Sequence, residues 1–444
     1  MKKTIVTAVV VLLAVTVLGA SRCSDNDATA QNSSAAAGKK PQEGEISVSN
    51  PIKGDKPQSE MGLSPPLDDR LANANRQFGL RLFAALRESG EGAEDNLFIS
   101  PLSVSIALAM AYNGAAGQTA LSMARALGFD GLDTTELNAA MRDLVTALEN
   151  PDSLVEISIA NSLWGRRGFS FSNAFLDKTG TYYEAEITTL DFDSPDAPDT
   201  INRWVNDATR GMIDNIVDRI PPEIVLHLIN AIYFKGQWQT EFDPARTHDW
   251  DFDTAAGGTA TVSMMSHSGS YRHLAGDGFQ AVRLPYGDGN LAMYVFLPDE
   301  TGGLGELLAD LDEETWRQRF QGFRPKDGDV MLPRFRIEYL SLLNSALSGM
   351  GMGIAFDGGR ADFSGMTTTG ADLYISSVVH KAVVEVNEEG TEAAAVTDIA
   401  IGVTSIQPEE ERFRFVADHP FFFVIRDDRT DSILFMGILN DPKG

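Results

Sequence analysis

Helical periodicity marks the first part of the chain and strand-like runs the second. Between Asp69 and Leu86 apolar side chains fall at Leu71, Phe78, Leu82 and Leu86, one face of a helix. Ser100–Leu108 predicts another helix, with Pro101 in the first turn, where its missing N–H costs nothing. Asp199–Asp218 predicts one more. Runs of β character follow at His227–Phe234, Ala281–Tyr286, Leu291–Leu297, Ala382–Asn387, Phe421–Arg426 and Ile433–Leu439. Several are apolar on both faces, as strands covered on both sides must be. No linker interrupts the chain from Leu67 onward, so residues 67–444 are expected to form one α+β domain.

The N-terminal segment has a different pattern. Lys2 and Lys3 precede an apolar run, Ile5–Leu18, and then small residues, Gly19, Ala20 and Ser21, which together predict an export signal over residues 1–23. Three outcomes stay open: a lipoprotein signal that acylates Cys23, cleavage after Ala20 or Ser21 that frees a soluble protein, or retention of the run as an anchor, for which it is short. The expected location is therefore extracellular, periplasmic or cell-surface. Residues 24–66 are rich in Ser, Ala, Gly and Asn with almost no large apolar side chains, the composition of a flexible tether.

Charge and missing motifs exclude several functions. With 63 acidic against 36 basic residues, the net charge of −27 disfavours nucleic acid, anionic membrane and heparin-type polyanions as partners. Any membrane contact should come only through an N-terminal lipid anchor, if Cys23 is acylated, and the protein is expected to be monomeric. Cys23 is the sole cysteine, so an internal disulfide is ruled out. The six histidines form no HExxH or close pair, and neither a Gly-x-Ser-x-Gly elbow nor a phosphate-cradling loop occurs. No metal, cofactor or catalytic constellation is expected.

The most informative stretch is Glu388-Glu389-Gly390-Thr391-Glu392-Ala393-Ala394-Ala395-Val396-Thr397, which follows a β-type run. Gly390 permits a hinge. Beyond it one alternating face carries Thr391, Ala393, Ala395, Thr397, Ile399 and Ile401, small at first and apolar later. The other face carries Glu392 and Asp398 and suits water. No proline lies between Pro333 and Pro408, so a full ladder of backbone bonds is available. The pattern fits a strand held outside its sheet; an ordinary exposed loop, or an alanine-rich helix start capped by Thr391, is the other reading. Inserting about a dozen residues, at roughly 1 kcal/mol net per hydrogen bond plus apolar burial, would release on the order of 10 kcal/mol.

Four further motifs complete a resemblance. Asn96-Leu97-Phe98-Ile99-Ser100-Pro101-Leu102-Ser103, Asn230-Ala231-Ile232-Tyr233-Phe234-Lys235-Gly236-Gln237-Trp238, Asp418-His419-Pro420-Phe421-Phe422-Phe423 and Leu434-Phe435-Met436-Gly437 occur in order. With them the chain resembles the serpin family from about Leu67 to Pro442. The resemblance implies a large central mixed β-sheet, further sheets, surrounding helices and an exposed reactive loop. It implies no enzyme but a suicide substrate, whose loop is cleaved, acylates the protease and inserts into the sheet. The family's spacing from Glu388 and Gly390 places the scissile bond at Thr404-Ser405, with Val403-Thr404 as the alternative. A small, uncharged residue at the cut implies an elastase-like or subtilisin-like serine protease, with a papain-like cysteine protease less favoured. Ser100, Ser103, Asn230 and His380 match the family's polar cluster beneath the sheet, and Trp238 matches a tryptophan near where the loop first inserts. The other reading left open is a non-inhibitory member serving as a binding or scaffold protein.

Overall fold

The computed structural model describes residues 69–149, 152–368, 373–391 and 412–443. The export signal, the tether, Glu392–Thr397 of the hinge segment and Val403-Thr404-Ser405 lie outside the described residues.

Two sheets organise the described residues. The larger has nine strands. Its path runs Leu97–Ile99, Ser432–Leu439, Phe421–Asp427, Leu291–Pro298, Phe279–Tyr286, Thr259–Ala275, Arg324–Pro333 and Phe413–Val416, with His248–Asp253 added to the Thr259–Ala275 strand. Leu291–Pro298 is buried at every position, which accounts for its apolar run on both faces.

The six-stranded sheet runs Phe335–Leu342, Ser377–Val386, the two-residue piece Gly390–Thr391, Leu226–Gln237, Val155–Arg166 and Glu186–Leu190. Most neighbours are antiparallel. Ser377–Val386 and Leu226–Gln237, however, pair with each other directly and in parallel, from Ser377 opposite His227 to Val383 opposite Tyr233.

The helix Pro101–Tyr112 lies beneath that seam. Ser100 caps it by accepting a hydrogen bond from the Ser103 N–H, and Pro101 fills the first turn. Its residues from Pro101 to Ala111 are all buried, so it is apolar all round and serves as a central pillar. Leu228, Ile232, Val378, Ala382 and Val384 of the seam strands face this large core. Ile229, Ala231 and Val383 point the other way, into a smaller core covered by the helix Ala197–Ala208.

The helix expected at Asp199–Asp218 is shorter than its periodicity suggested. It ends at Ala208, because Arg210 and Gly211 take left-handed backbone angles and the Gly211 N–H closes back on the Asn206 carbonyl. The chain beyond runs irregularly over the sheet and buries Ile213, Ile216, Val217, Ile220 and Ile224. Those residues look helical in sequence because they cover a face, not because they wind.

Candidate functional site

The sheet seam and the turn above it bring the described candidate residues together. At the upper end of the seam, Ser377–Val386 runs into a turn at Asn387–Gly390. The Asn387 N–H donates to the Gly390 carbonyl at 2.9 Å, and the Asn387 side-chain oxygen accepts from the N–H groups of Glu389 (3.1 Å) and Gly390 (3.2 Å). The returning piece then enters between the two seam strands. Thr391 is opposite Val386 on one side and Gly236 on the other, and Gly390 is opposite Gln237. Both pairings are antiparallel.

Gly390 has φ of 152°, and a Cβ there would lie 2.1 Å from the Gly236 carbonyl oxygen. Only glycine fits that approach. Thr391 is fully buried, with its hydroxyl 2.8 Å from the Tyr286 hydroxyl. Trp238 stacks on Tyr286 with ring centroids 4.3 Å apart. Its backbone N–H donates to the Glu389 carbonyl and its indole N–H to the Asn387 carbonyl, both at 2.9 Å. Trp238 thus holds the turn from beneath.

Glu388 ties the turn to the rest of the molecule. Its side chain is 4% exposed and accepts from Arg334 Nε at 2.7 Å, from Arg334 Nη2 at 2.5 Å and from the Thr247 hydroxyl. Burial would raise its pKa, but the Arg334 guanidinium and the Thr247 hydroxyl bring it below the ordinary value.

Lower in the seam, on the face toward the Pro101–Tyr112 helix, Ser100, Ser103, Asn230 and His380 form one buried network. Asn230 and His380 are register partners across the seam. The Ser100 backbone N–H donates to His380 Nε2 at 3.0 Å. An N–H cannot accept, so Nε2 is the bare nitrogen, and Nδ1 carries the proton it donates to Asn230 Oδ1 at 2.6 Å. The Asn230 amide nitrogen donates to the Ser103 hydroxyl and, at 2.6 Å, to Asn161 Oδ1. Complete burial pushes the His380 ring down to about 3, so it is neutral across the physiological range.

Sequence reasoning missed five residues of this site: Asn161, Tyr286, Arg334, Thr247 and Asn387. Asn161 interrupts an apolar strand, which is a faint signal; the others had none. Among the described residues no group of three or more His, Cys, Asp or Glu side chains could hold a metal ion. No described helix is long and apolar enough to cross a membrane.

The parallel seam thus carries a two-residue strand, Gly390–Thr391, wedged into its upper end. A model of the family described as Serpin (serine protease inhibitor) matches residues 73–442. The chain belongs to the serpin family. The leukocyte elastase inhibitor of Xenopus laevis is 37% identical over 385 residues, covering 84% of this chain and all of that protein. Serpin B6 of Pongo abelii is also 37% identical over 385 residues, with the same coverage. Among solved serpin structures, native tengpin, a thermophilic serpin, superposes with a TM-score of 0.77 at 31% identity, covering 87% of this chain and 97% of its own. Human thyroxine-binding globulin in complex with its hormone superposes with a TM-score of 0.77 at 29% identity, covering 84% and 98%. Serine-protease inhibition is thus the activity that the family name and its elastase-inhibiting relatives share.

Proposed function

We propose that this serpin is an exported suicide substrate that traps an elastase-like or subtilisin-like serine protease by inserting its cleaved loop into the seam. The observation that carries the reading is the position of Gly390–Thr391, antiparallel to both seam strands at once. Val386 and Gly236, bridged by Thr391, keep the same relative register that pairs Val383 with Tyr233 below. The two strands need only part sideways, by about one strand spacing of 4.8 Å, to admit more chain; neither has to slide.

Continued in that register, the incoming strand brings Thr397 level with Asn230 and His380. Its hydroxyl can take up hydrogen bonds that those two side chains release as the strands separate. Thr391, Ala393, Ala395 and Ile399 enter on the same face, toward the large core. Small side chains at the leading end lower the resistance to entry, and the isoleucines that follow add burial.

The chemistry belongs to the protease. Its nucleophile attacks the Thr404 carbonyl, the Ser405 amine leaves, and an ester to Thr404 remains while insertion carries the enzyme away and distorts its active site. The small, branched Thr404 suits an elastase-like pocket, in line with the relatives that bear the name elastase inhibitor. No cofactor takes part, and the chain itself supplies no catalytic group. Residues 1–23 direct export, and residues 24–66 tether the inhibitor at the cell surface or are carried free, according to whether Cys23 is acylated.

Incubation with elastase or subtilisin followed by a denaturing gel tests the reading. An SDS-stable complex is expected, together with a large rise in melting temperature after loop cleavage. Clean cleavage with no complex across several proteases, and no thermal gain, would leave a non-inhibitory member of the fold. For the cut site, Thr404→Arg is expected to redirect inhibition toward trypsin; an unchanged preference refutes the placement at Thr404-Ser405.

A further inference from the structure

The seam has a second polar rung that the family motifs do not mark. Of its seven register pairs, two join polar side chains by a hydrogen bond: Asn230 with His380, and His227 with Ser377. His227 Nδ1 bonds the Ser377 hydroxyl, and both residues are buried, at 6% and 5% exposed. They lie three steps below the upper rung and, by alternation, on the opposite face, with Ile229, Ala231 and Val383 of the small core. On its other side His227 is in register with Trp164, whose indole N–H is held by the Ser162 hydroxyl. Burial pushes the His227 ring down to about 4, so the bond joins two neutral groups at neutral pH.

We propose that His227 and Ser377 are a second latch across the seam, a positioning pair that must part before the last third of the loop can enter. The inference rests on the insertion reading above. The two rungs differ in what reaches them. In the register set by Thr391, the residue arriving at Asn230 and His380 is Thr397, which offers a hydroxyl. The residue arriving between His227 and Ser377 is Ala400, which offers nothing. The upper rung exchanges its bonds, whereas the lower one loses its bond outright, so the buried hydroxyl and ring nitrogen each lose a partner. Insertion therefore meets its second resistance near the end of its travel, where the protease is still bound through its ester. The pair sets how much of the acyl-enzyme is hydrolysed before trapping is complete.

Two synthetic acetylated peptides separate this latch from a general loosening of the sheet. One spans residues 392–404 and reaches the lower rung; the other spans 392–398 and stops above it. Uptake into the intact protein is followed by native gel and by the gain in melting temperature. Ser377→Ala is expected to speed uptake of the long peptide about five-fold, the factor for one net hydrogen bond of about 1 kcal/mol, and to leave the short peptide unchanged. His227→Leu should act the same way. A long peptide carrying Ala400→Ser should dissociate more slowly from the wild-type protein, because its hydroxyl replaces the missing partner. Equal acceleration of both peptides, or none for the long one, overturns the latch while leaving insertion intact. If neither peptide enters and loop cleavage brings no thermal gain, the insertion reading fails and the latch falls with it.

Discussion

Replacing Glu388 with glutamine removes one charge and almost no volume from the turn that leads into the seam. In the intact protein this carboxylate accepts from two nitrogens of Arg334 and from the Thr247 hydroxyl while 4% exposed. Removing one member of a fully buried ion pair costs about 3–5 kcal/mol, which sets an upper bound. Arg334 is 47% exposed and can rehydrate, and the glutamine oxygen still accepts one of its bonds. A fully exposed pair contributes about 0–1 kcal/mol. The intermediate expectation for Glu388→Gln is a loss of about 1–3 kcal/mol, read from urea unfolding followed by tryptophan fluorescence, to which Trp238 against the same turn contributes. The pH dependence makes the attribution stricter. Burial would raise the carboxyl above its ordinary 4.5, yet Arg334 and Thr247 lower it below that value. A carboxyl whose folded pKa is depressed stabilises above its unfolded pKa, and that contribution fades as pH falls through the folded one. The gap between wild type and Glu388→Gln should therefore be full above the ordinary carboxylate range and shrink as pH falls below it. A gap that persists in acid, or is absent at pH 7, would refute the role assigned to the charge.

Two other substitutions test the seam directly. Asn230→Ala strands the Nδ1–H of His380 and the Asn161 oxygen in a dry core and leaves a cavity, so a loss of about 2–5 kcal/mol in urea unfolding is expected; a loss under 1 kcal/mol would mean that the network contributes little. Gly390→Ala drives a Cβ to 2.1 Å from the Gly236 carbonyl oxygen at a φ of 152°, and the strain of about 1–3 kcal/mol should unseat the wedge. Faster amide exchange at Trp238, whose N–H donates to the Glu389 carbonyl, is the expected readout, and unchanged exchange would show that the wedge does not depend on a glycine.

Local pattern was enough for much of the framework. The Ser100 cap, Pro101 and the apolar run after them specify a helix wherever it is packed, because capping and first-turn geometry involve only neighbours in sequence. Leu291–Leu297 and Ile433–Leu439 declared themselves covered strands by lacking a polar face. Gly390 stood out as a position where the backbone calls for glycine, and its φ of 152° agrees. The failures share one cause. Within Asp199–Asp218 Gly211 alone hints that the chain stops winding after Ala208, and nothing local reveals that the isoleucines beyond spread across a sheet, since a sheet-covering coil and a helix can show the same apolar spacing. Glu388 reads as the start of the hinge stretch, but its bonds to Arg334 and Thr247 appear only when those residues are brought beside it from elsewhere in the chain. Asn161 joins Asn230 and His380, and His227 meets Ser377, only because three strands remote in sequence adopt one relative register. Register is a collective property: it is chosen by the whole buried face of a sheet at once, so the partners it creates are written in no single segment of the chain.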